Sequence, residues 1–359
     1  MRILMITDES GSQITNGGGL SYLLSILRPA IKLGHTVEYI TADDLKANGM
    51  NNRNKKLEDL ENKIKEFKPD IINIFNNCIW GFEPYDIADK YNIPTVSCLP
   101  DYTLICKRRM MFITESKEVC DLKNCNRCPN NRTCVEPNFD IFNKMKDRRI
   151  IVGSQFLKDI FMKFGYKNEN ISVIELGLNP KIYKPQYGGK SEEIFNISRM
   201  AEEKGLDLYE NLASMENRLK WVLAGYPSLN LISNHMEYIG EISETDKMYH
   251  MRNCEMFVST PRWHEPIGLT YLEAKAIGKP VITFRRGGIP QYHENTGGAV
   301  LVDYPNLKEM AKIVWELHLD EDKRIEMGKS GRKQIEERNN ENILIHQTIK
   351  VFDELRGVR

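Results

Sequence analysis

The chain has 359 residues, with 50 Lys and Arg against 50 Asp and Glu, 41% hydrophobic and 28% charged, enough for about two globular domains. This composition excludes disordered and collagen-like chains, and the balanced charge excludes a general attraction to nucleic acid or anionic lipid. No run approaches the roughly 20 apolar residues that span a bilayer, and Met1–Asp8 turns polar too soon for a signal peptide. The expected location is the cytoplasm, with room for peripheral contact on the inner membrane face.

In chain order, Arg2 to Thr7 is a short apolar strand, followed by a Gly-rich loop. Leu20, Leu23, Leu24, Leu27 and Ile31 then recur at helical spacing up to Gly34. The alternation continues with Val37–Ile40 as strand, Leu57–Phe67 as helix, Asp70–Phe75 as strand, Tyr85–Tyr91 as helix and Pro94–Cys98 as strand. After an irregular stretch from Leu99 to about Pro137 it resumes with Arg149–Val152, a helix from Gln155, and Ile171–Glu175. Such βα repetition predicts a doubly wound parallel sheet. Turn residues from Gly177 to Pro185 and the Gly188-Gly189 pair mark a domain boundary, giving a first domain over 1–185.

The second half repeats the grammar over 186–339. Strands are expected at Glu193–Ser198, Lys220–Ala224, Met236–Ile239, Met256–Ser259, Val281–Phe284 and Ala299–Val302. Helices are expected at Gly205–Met215, Lys247–Cys254, Leu269–Ile277 and Leu307–His318. A last helix within 340–359 has no sheet of its own and is expected to cross back onto the first domain. In open α/β sheets ligands lie beyond the carboxyl ends of the strands, so two such sheets would hold a substrate in the cleft between them.

The sharpest chemical signal is the run Pro261-Arg262-Trp263-His264-Glu265-Pro266-Ile267-Gly268-Leu269-Thr270-Tyr271-Leu272-Glu273-Ala274. A strand ends before it, Glu265 follows in the loop, and Gly268 opens a helix whose first amides are free to bind an anion. Glu273 lies about two turns along that helix, so the two carboxylates can reach different parts of one ligand with a phosphate between them. His264, beside Glu265, is a candidate to touch a sugar or its phosphate. His293, after Gly287-Gly288, reads as a cleft-lining residue or, better, a solvated loop histidine, and Trp263 and Trp80 as stacking or packing residues.

The run Glu265-Pro266-Ile267-Gly268-Leu269 with Glu273-Ala274 resembles the E-x7-E motif of the family 4 retaining glycosyltransferases of GT-B fold. Three further segments agree: Asn16-Gly17-Gly18-Gly19 with Leu33-Gly34-His35-Thr36-Val37, Ile197-Ser198-Arg199 with Glu203-Lys204-Gly205, and Gly287-Gly288-Ile289-Pro290. The resemblance implies two Rossmann-like domains facing across a cleft and transfer of a hexose from a nucleoside-diphosphate sugar to an acceptor hydroxyl. It puts Glu265 on the transferred sugar and Glu273 on the ribose. Arg199 and Lys204 would neutralise the diphosphate, with Ile267, Gly268 and Leu269 beside it. Gly17, Gly18 and Gly19 would let backbone approach the donor. A departing nucleoside diphosphate gathers negative charge, which fixed cations and helix amides stabilise without a catalytic metal. A UDP-sugar is favoured and a GDP-sugar is the alternative donor. The acceptor would be a glycan, a lipid-linked group or a small molecule, in glycan or glycoconjugate biosynthesis.

Two departures concern the acceptor side. Leu99-Pro100-Asp101-Tyr102 carries Pro100 where many relatives have His, leaving Asp101 as a base, a sugar ligand or a plain turn residue. Gln291 stands where a Glu is usual. The rival readings are a sugar-nucleotide epimerase, a phosphorylase, and a nucleotide-sugar-binding protein of weak turnover. Product formation with an acceptor separates them.

Cys106 precedes Cys120-x4-Cys125-x2-Cys128-x5-Cys134, in a polar stretch that cannot build its own core. Four of these five thiolates around a structural zinc ion would order it, the plant-type spacing leaves an iron-sulfur cluster as a minority alternative, and disulfides would need an oxidising compartment that nothing else in the sequence supports. Cys78, Cys98 and Cys254 read as core residues. The run Lys107-Arg108-Arg109 offers a local basic patch for an anionic acceptor or membrane, or a solvated loop.

Overall fold

The computed structural model describes residues 1–7, 18–41, 53–75, 81–106, 109–113, 116–120, 143–189, 191–227 and 233–357. The chain forms two compact units. The first comprises Met1–Arg109, Cys125–Gly177 and Glu341–Arg359, and the second comprises Met110–Asn124 and Leu178–Asn340. The division at Gly177 and Leu178 falls at the start of the expected turn-rich boundary. Met110–Asn124, expected within the first domain, belongs to the second unit.

In the first unit the strands β1 (Arg2–Thr7), β2 (Thr36–Thr41), β3 (Ile71–Phe75), β4 (Thr95–Leu99), β7 (Ile150–Val152) and β8 (Ile171–Val173) form one parallel sheet, ordered β2-β1-β3-β4-β7-β8. Its inner strands β3, β4 and β7 are buried throughout, as expected of parallel strands covered on both faces. The covering helices include α1 (Gly18–Lys32), α2 (Arg53–Phe67), α3 (Glu83–Lys90) and α4 (Gln155–Lys163). The last is capped by Ser154, whose Oγ accepts from the Leu157 amide. The C-terminal helix, Glu341–Leu355, packs on α1 in this unit.

In the second unit β9 (Glu193–Ile197), β10 (Lys220–Ala224), β11 (Glu237–Tyr238), β12 (Met256–Ser259), β13 (Val281–Phe284) and β14 (Ala299–Val302) form a parallel sheet ordered β11-β10-β9-β12-β13-β14. Its faces carry α5 (Leu206–Met215), α6 (Glu244–Asn253), α7 (Leu269–Ile277), α8 (Ile289–His293), α9 (Leu307–Leu319) and α10 (Glu321–Glu337). One core layer gathers around Tyr209, Trp221, Met256 and Val314, the other around Phe195, Met251, Phe257 and Ile277. Three features were not expected from the sequence: α8, α10, and a two-stranded antiparallel hairpin of β5 (Phe112–Ile113) and β6 (Glu118–Val119). No helix among the described residues is long and apolar enough to cross a membrane.

Candidate functional site

Strand order in the second sheet reverses between β9 and β12, and ligands of open α/β sheets bind at the carboxyl ends of the strands at such a point. After β9 the chain passes Arg199 to a single 3-10 turn, Glu202–Lys204. After β12 it passes Thr260 to Gly268 and enters α7. The two loops are bonded together. Thr260 Oγ1 donates to the Gly205 carbonyl at 2.8 Å, and the Arg262 and Trp263 amides donate to the Glu203 carbonyl at 2.9 and 3.2 Å. Gly205 has φ +67°, and a Cβ there would lie 2.0 Å from the Thr260 carbonyl oxygen, so the close approach requires glycine.

This junction brings Lys204 and Glu265 together. Lys204 Nζ lies 2.7 Å from Glu265 Oε2, Trp263 Nε1 donates to the same oxygen at 2.9 Å, and Nζ stands 4.7 Å over the Trp263 ring. Arg199 Nη2 bonds the buried Glu203 carboxylate and lies 3.4 Å from Met110 Sδ. Both cations of the expected diphosphate clamp are therefore fixed by a carboxylate. The Gly288 amide donates to the Glu265 carbonyl at 2.8 Å, and a Cβ at Gly287 would lie 2.5 Å from that oxygen. The Gly287–Pro290 loop is thus drawn onto the Glu265 backbone.

Gly268 opens α7 with no side-chain cap, beside the buried Ile267, so the amides of Gly268 and Leu269 sit at the positive end of the helix. His264 is half-buried, and burial followed by the Arg286 charge pushes its imidazole down to about 4. The ring is neutral near pH 7. Glu273 is only 2% exposed. It accepts from Tyr183 Oη at 3.0 Å and from Lys247 Nζ at 3.2 and 3.3 Å. Burial pushes its carboxyl up, against the pull of Lys247. Burial also lowers Lys247, but Glu273 and Glu244 outweigh it and leave the amine above the usual lysine value.

The remaining sequence-stated residues divide by place. Asp101 and its loop belong to the first unit. One carboxylate oxygen of Asp101 accepts from the Thr103 amide at 2.9 Å and from its hydroxyl. The other takes Arg109 Nε and Nη2 at 2.9 and 2.7 Å. Both oxygens are thus engaged in anchoring the loop. Gly18 and Gly19 form the first turn of α1, while Gly17 lies outside the described residues, as do Trp80, Cys78, Lys107 and Arg108. Cys125, Cys128 and Cys134 also lie outside them. Cys106 and Cys120 are part-buried and in no disulfide, and among the described residues no group of three or more metal-ligating side chains is gathered. Cys98 and Cys254 are fully buried, their thiols pushed up to about 12 by burial.

His293 corrects the sequence reading. It is fully buried, edge-on to the Tyr271 ring at 5.6 Å between centroids, because α8 folds its Gly-Gly loop under α7. Sequence reasoning also missed Lys247, Tyr183 and the Arg262–Asp207 pair, which Lys117 of the hairpin joins at 3.1 Å. Each acts through a partner on another element, and local spacing carries no sign of such a partner.

Residues 182–334 match the family described as Glycosyl transferases group 1. This stretch, under half of the chain, is similar to the group 1 glycosyl transferases. Curated relatives include spore coat protein SA of Bacillus subtilis (strain 168), 32% identical over 29% of this chain and 28% of its own. A GDP-mannose-dependent alpha-(1-6)-phosphatidylinositol monomannoside mannosyltransferase of Mycobacterium tuberculosis (strain CDC 1551 / Oshkosh) is 26% identical over 40% and 43%. The chain thus spans less than half the length of these two relatives. Among solved structures, a sucrose-phosphate synthase of Thermosynechococcus elongatus matches with a TM-score of 0.75 at 14% identity, over 99% of both chains. Anabaena HepE in complex with UDP matches with a TM-score of 0.71 at 16% identity, over 99% of this chain and 100% of its own. With the two parallel-sheet units, these likenesses show that the chain has the GT-B fold.

Proposed function

We propose that the chain is a retaining glycosyltransferase that moves a hexose from a nucleoside-diphosphate sugar, a UDP-sugar before a GDP-sugar, to a hydroxyl of a glycan, lipid-linked or small-molecule acceptor. The observation that carries this reading is the meeting of Lys204 and Glu265 at the sheet's switch point, with Glu273 on the same helix whose amino end they flank. The names of relatives support the donor class: HepE forms complexes with UDP and with UDP-glucose, and the mycobacterial relative uses GDP-mannose.

As the bond from the anomeric carbon to the phosphate oxygen breaks, charge builds on the leaving diphosphate. Arg199, Lys204 and the amides at Gly268 and Leu269 receive it, so the reaction requires no catalytic metal. Retention follows if the acceptor attacks from the face the phosphate leaves, giving its proton to a phosphate oxygen. Glu265 then steadies the sugar and His264, neutral, offers a hydrogen bond without a charge. Asp101 is needed only to hold its loop. Within the same reading four of Cys106, Cys120, Cys125, Cys128 and Cys134 hold a structural zinc ion, with an iron-sulfur cluster as the alternative. Elemental analysis and the visible spectrum of the purified protein decide between them.

A thermal-shift panel of nucleoside diphosphates and sugar nucleotides tests the donor site, since a ligand of the folded state raises its melting point by mass action. One nucleotide should stabilise the wild type and not Glu273→Ala. No response at millimolar concentration to any of them would overturn the reading. Product formed only with an acceptor present separates transfer from epimerisation.

A further inference from the structure

Glu273 is a buried carboxylate, held among the described residues by partners from two segments. From α6, Lys247 Nζ lies 3.2 and 3.3 Å from its two oxygens, and Glu244, itself 2.7 Å from Nζ, stands behind the amine. From the segment that enters the second unit, Tyr183 Oη donates at 3.0 Å. From α10, Arg332 donates to the Ala276 carbonyl at 2.7 Å, the Pro180 carbonyl at 2.9 Å and the Tyr183 carbonyl, and its Nε pairs with Glu336 at 2.7 Å. Arg332 therefore fixes the backbone from which Tyr183 reaches Glu273, and α6 fixes the lysine.

Left alone at this depth, Glu273 would be protonated and would lose its capacity to accept two hydrogen bonds from a vicinal diol. Lys247 is the only cation bonded to it among the described residues, and Tyr183 supplies a neutral donor that leaves the remaining lone pairs available. We propose that Lys247 and Tyr183 are positioning residues that keep Glu273 ionised and aimed, so that it can take the ribose diol of a nucleoside diphosphate. This deepens the donor-site reading above and rests on it. Neither residue belongs to the motif that contains Glu273, and neither needs to touch the ligand.

The test has two arms, using full-length wild type, Lys247→Met, Lys247→Arg, Tyr183→Phe and the double variant Lys247→Met with Glu273→Gln. The first arm needs no ligand: stability is followed by denaturant unfolding from pH 4.5 to 8. Without the lysine the folded-state carboxyl pKa of Glu273 moves further above its unfolded value, so Lys247→Met should lose stability relative to wild type as pH rises through that window. The double variant should lose this slope, and Lys247→Arg should follow wild type. A Lys247→Met profile parallel to that of the double variant would overturn the proposal.

The second arm measures UDP affinity by calorimetry at several pH values. Lys247→Met should bind roughly tenfold more weakly at pH 7, with the deficit shrinking as pH rises, and Lys247→Arg should restore most of it. An equal deficit at every pH would mean a structural lysine and overturn the proposal. Tyr183→Phe deletes one oxygen and keeps the packing, so it serves should the methionine variant fail to fold. It should weaken UDP about threefold, and unchanged affinity would remove Tyr183 from the proposal. If wild type binds no nucleoside diphosphate the donor-site reading falls, while the first arm still reports whether Lys247 sets the charge of Glu273.

Discussion

Lys204 and Glu265, 61 residues apart in sequence, form a part-buried ion pair at 2.7 Å that is completed by the Trp263 indole on the same carboxylate oxygen. The pair does two things at once. It holds an ammonium group at the amino end of α7, where a cation is otherwise repelled by the helix dipole, and it fixes the carboxylate against a single face. Truncation of either partner leaves the other charge without its main companion.

Lys204→Met should therefore weaken nucleoside diphosphate binding and lower kcat/KM about 10²–10³-fold, as expected for loss of a charge placed where negative charge develops. Glu265→Gln keeps the shape and the Trp263 bond, so it should lower turnover more than it lowers donor affinity. Steady-state kinetics with calorimetry on both variants checks the contrast. Equal losses in binding and turnover for Glu265→Gln would remove that residue from the transferred sugar.

The junction that supports this pair depends on Gly205. Its φ of +67° and the 2.0 Å that a Cβ would leave to the Thr260 carbonyl oxygen allow no side chain. Gly205→Ala should cost at least about 2 kcal/mol and loosen the bonds between the Lys204 turn and the Arg262–Trp263 loop. Denaturant unfolding gives the stability loss, and nucleotide affinity should fall with it. A variant as stable as wild type would show that the two loops can part without cost.

The alternation of strands and helices, and the two glutamates on one helix, are legible in the chain because apolar periodicity and motif spacing are local. What escapes is local pattern overruled by tertiary partners. Helix α10 carries a polar sequence, yet it buries Arg324, Arg332 and Gln334 along with Gly328 and Gly331. Arg324 and Arg332 donate to backbone carbonyls of other segments, so a face that looks solvated is a packing face. His293 and Lys247 escape for the same reason. Their burial is imposed by α7, which neither spacing nor residue type announces.

His264 offers a pH test within the site. Its imidazole is depressed to about 4 by burial and the Arg286 charge, against about 6.5 in the unfolded chain. The unfolded state then binds more protons between these values, so His264 adds stability that grows as pH rises from about 4 to 6.5 and is lost as pH falls through that window. Replacement by Asn should flatten that part of the stability profile. The donor-binding profile of wild type should show no inflection near 6.5, since the folded ring stays neutral there. An inflection at that pH that disappears in His264→Asn would show a charged imidazole and overturn this assignment.

Lys275 tests the opposite end of the pH scale. Its side chain is fully buried on α7, and Nζ donates to Gln334 Oε1 at 2.7 Å and to Thr296 Oγ1 at 2.8 Å, two neutral acceptors, with no carboxylate paired to it among the described residues. Burial, with a smaller push from Arg338, brings its pKa down to about 7. Unfolded lysine titrates near 10.4, so between about 7 and 10 the unfolded state binds the additional proton and stability rises with pH, by up to about 1.4 kcal/mol per unit. Below 7 both states are protonated and the slope vanishes. His293, whose imidazole burial holds well below the ordinary range, does not titrate in this window. Lys275→Met should therefore lie below wild type at pH 7, because Gln334 and Thr296 lose a donor, and the gap should widen toward pH 10. Unfolding curves at pH 7, 8.5 and 10 decide it. A gap that stays constant would mean that the buried amine keeps its proton across the whole range, and that Gln334 and Thr296 alone suffice to hold a charge in this core.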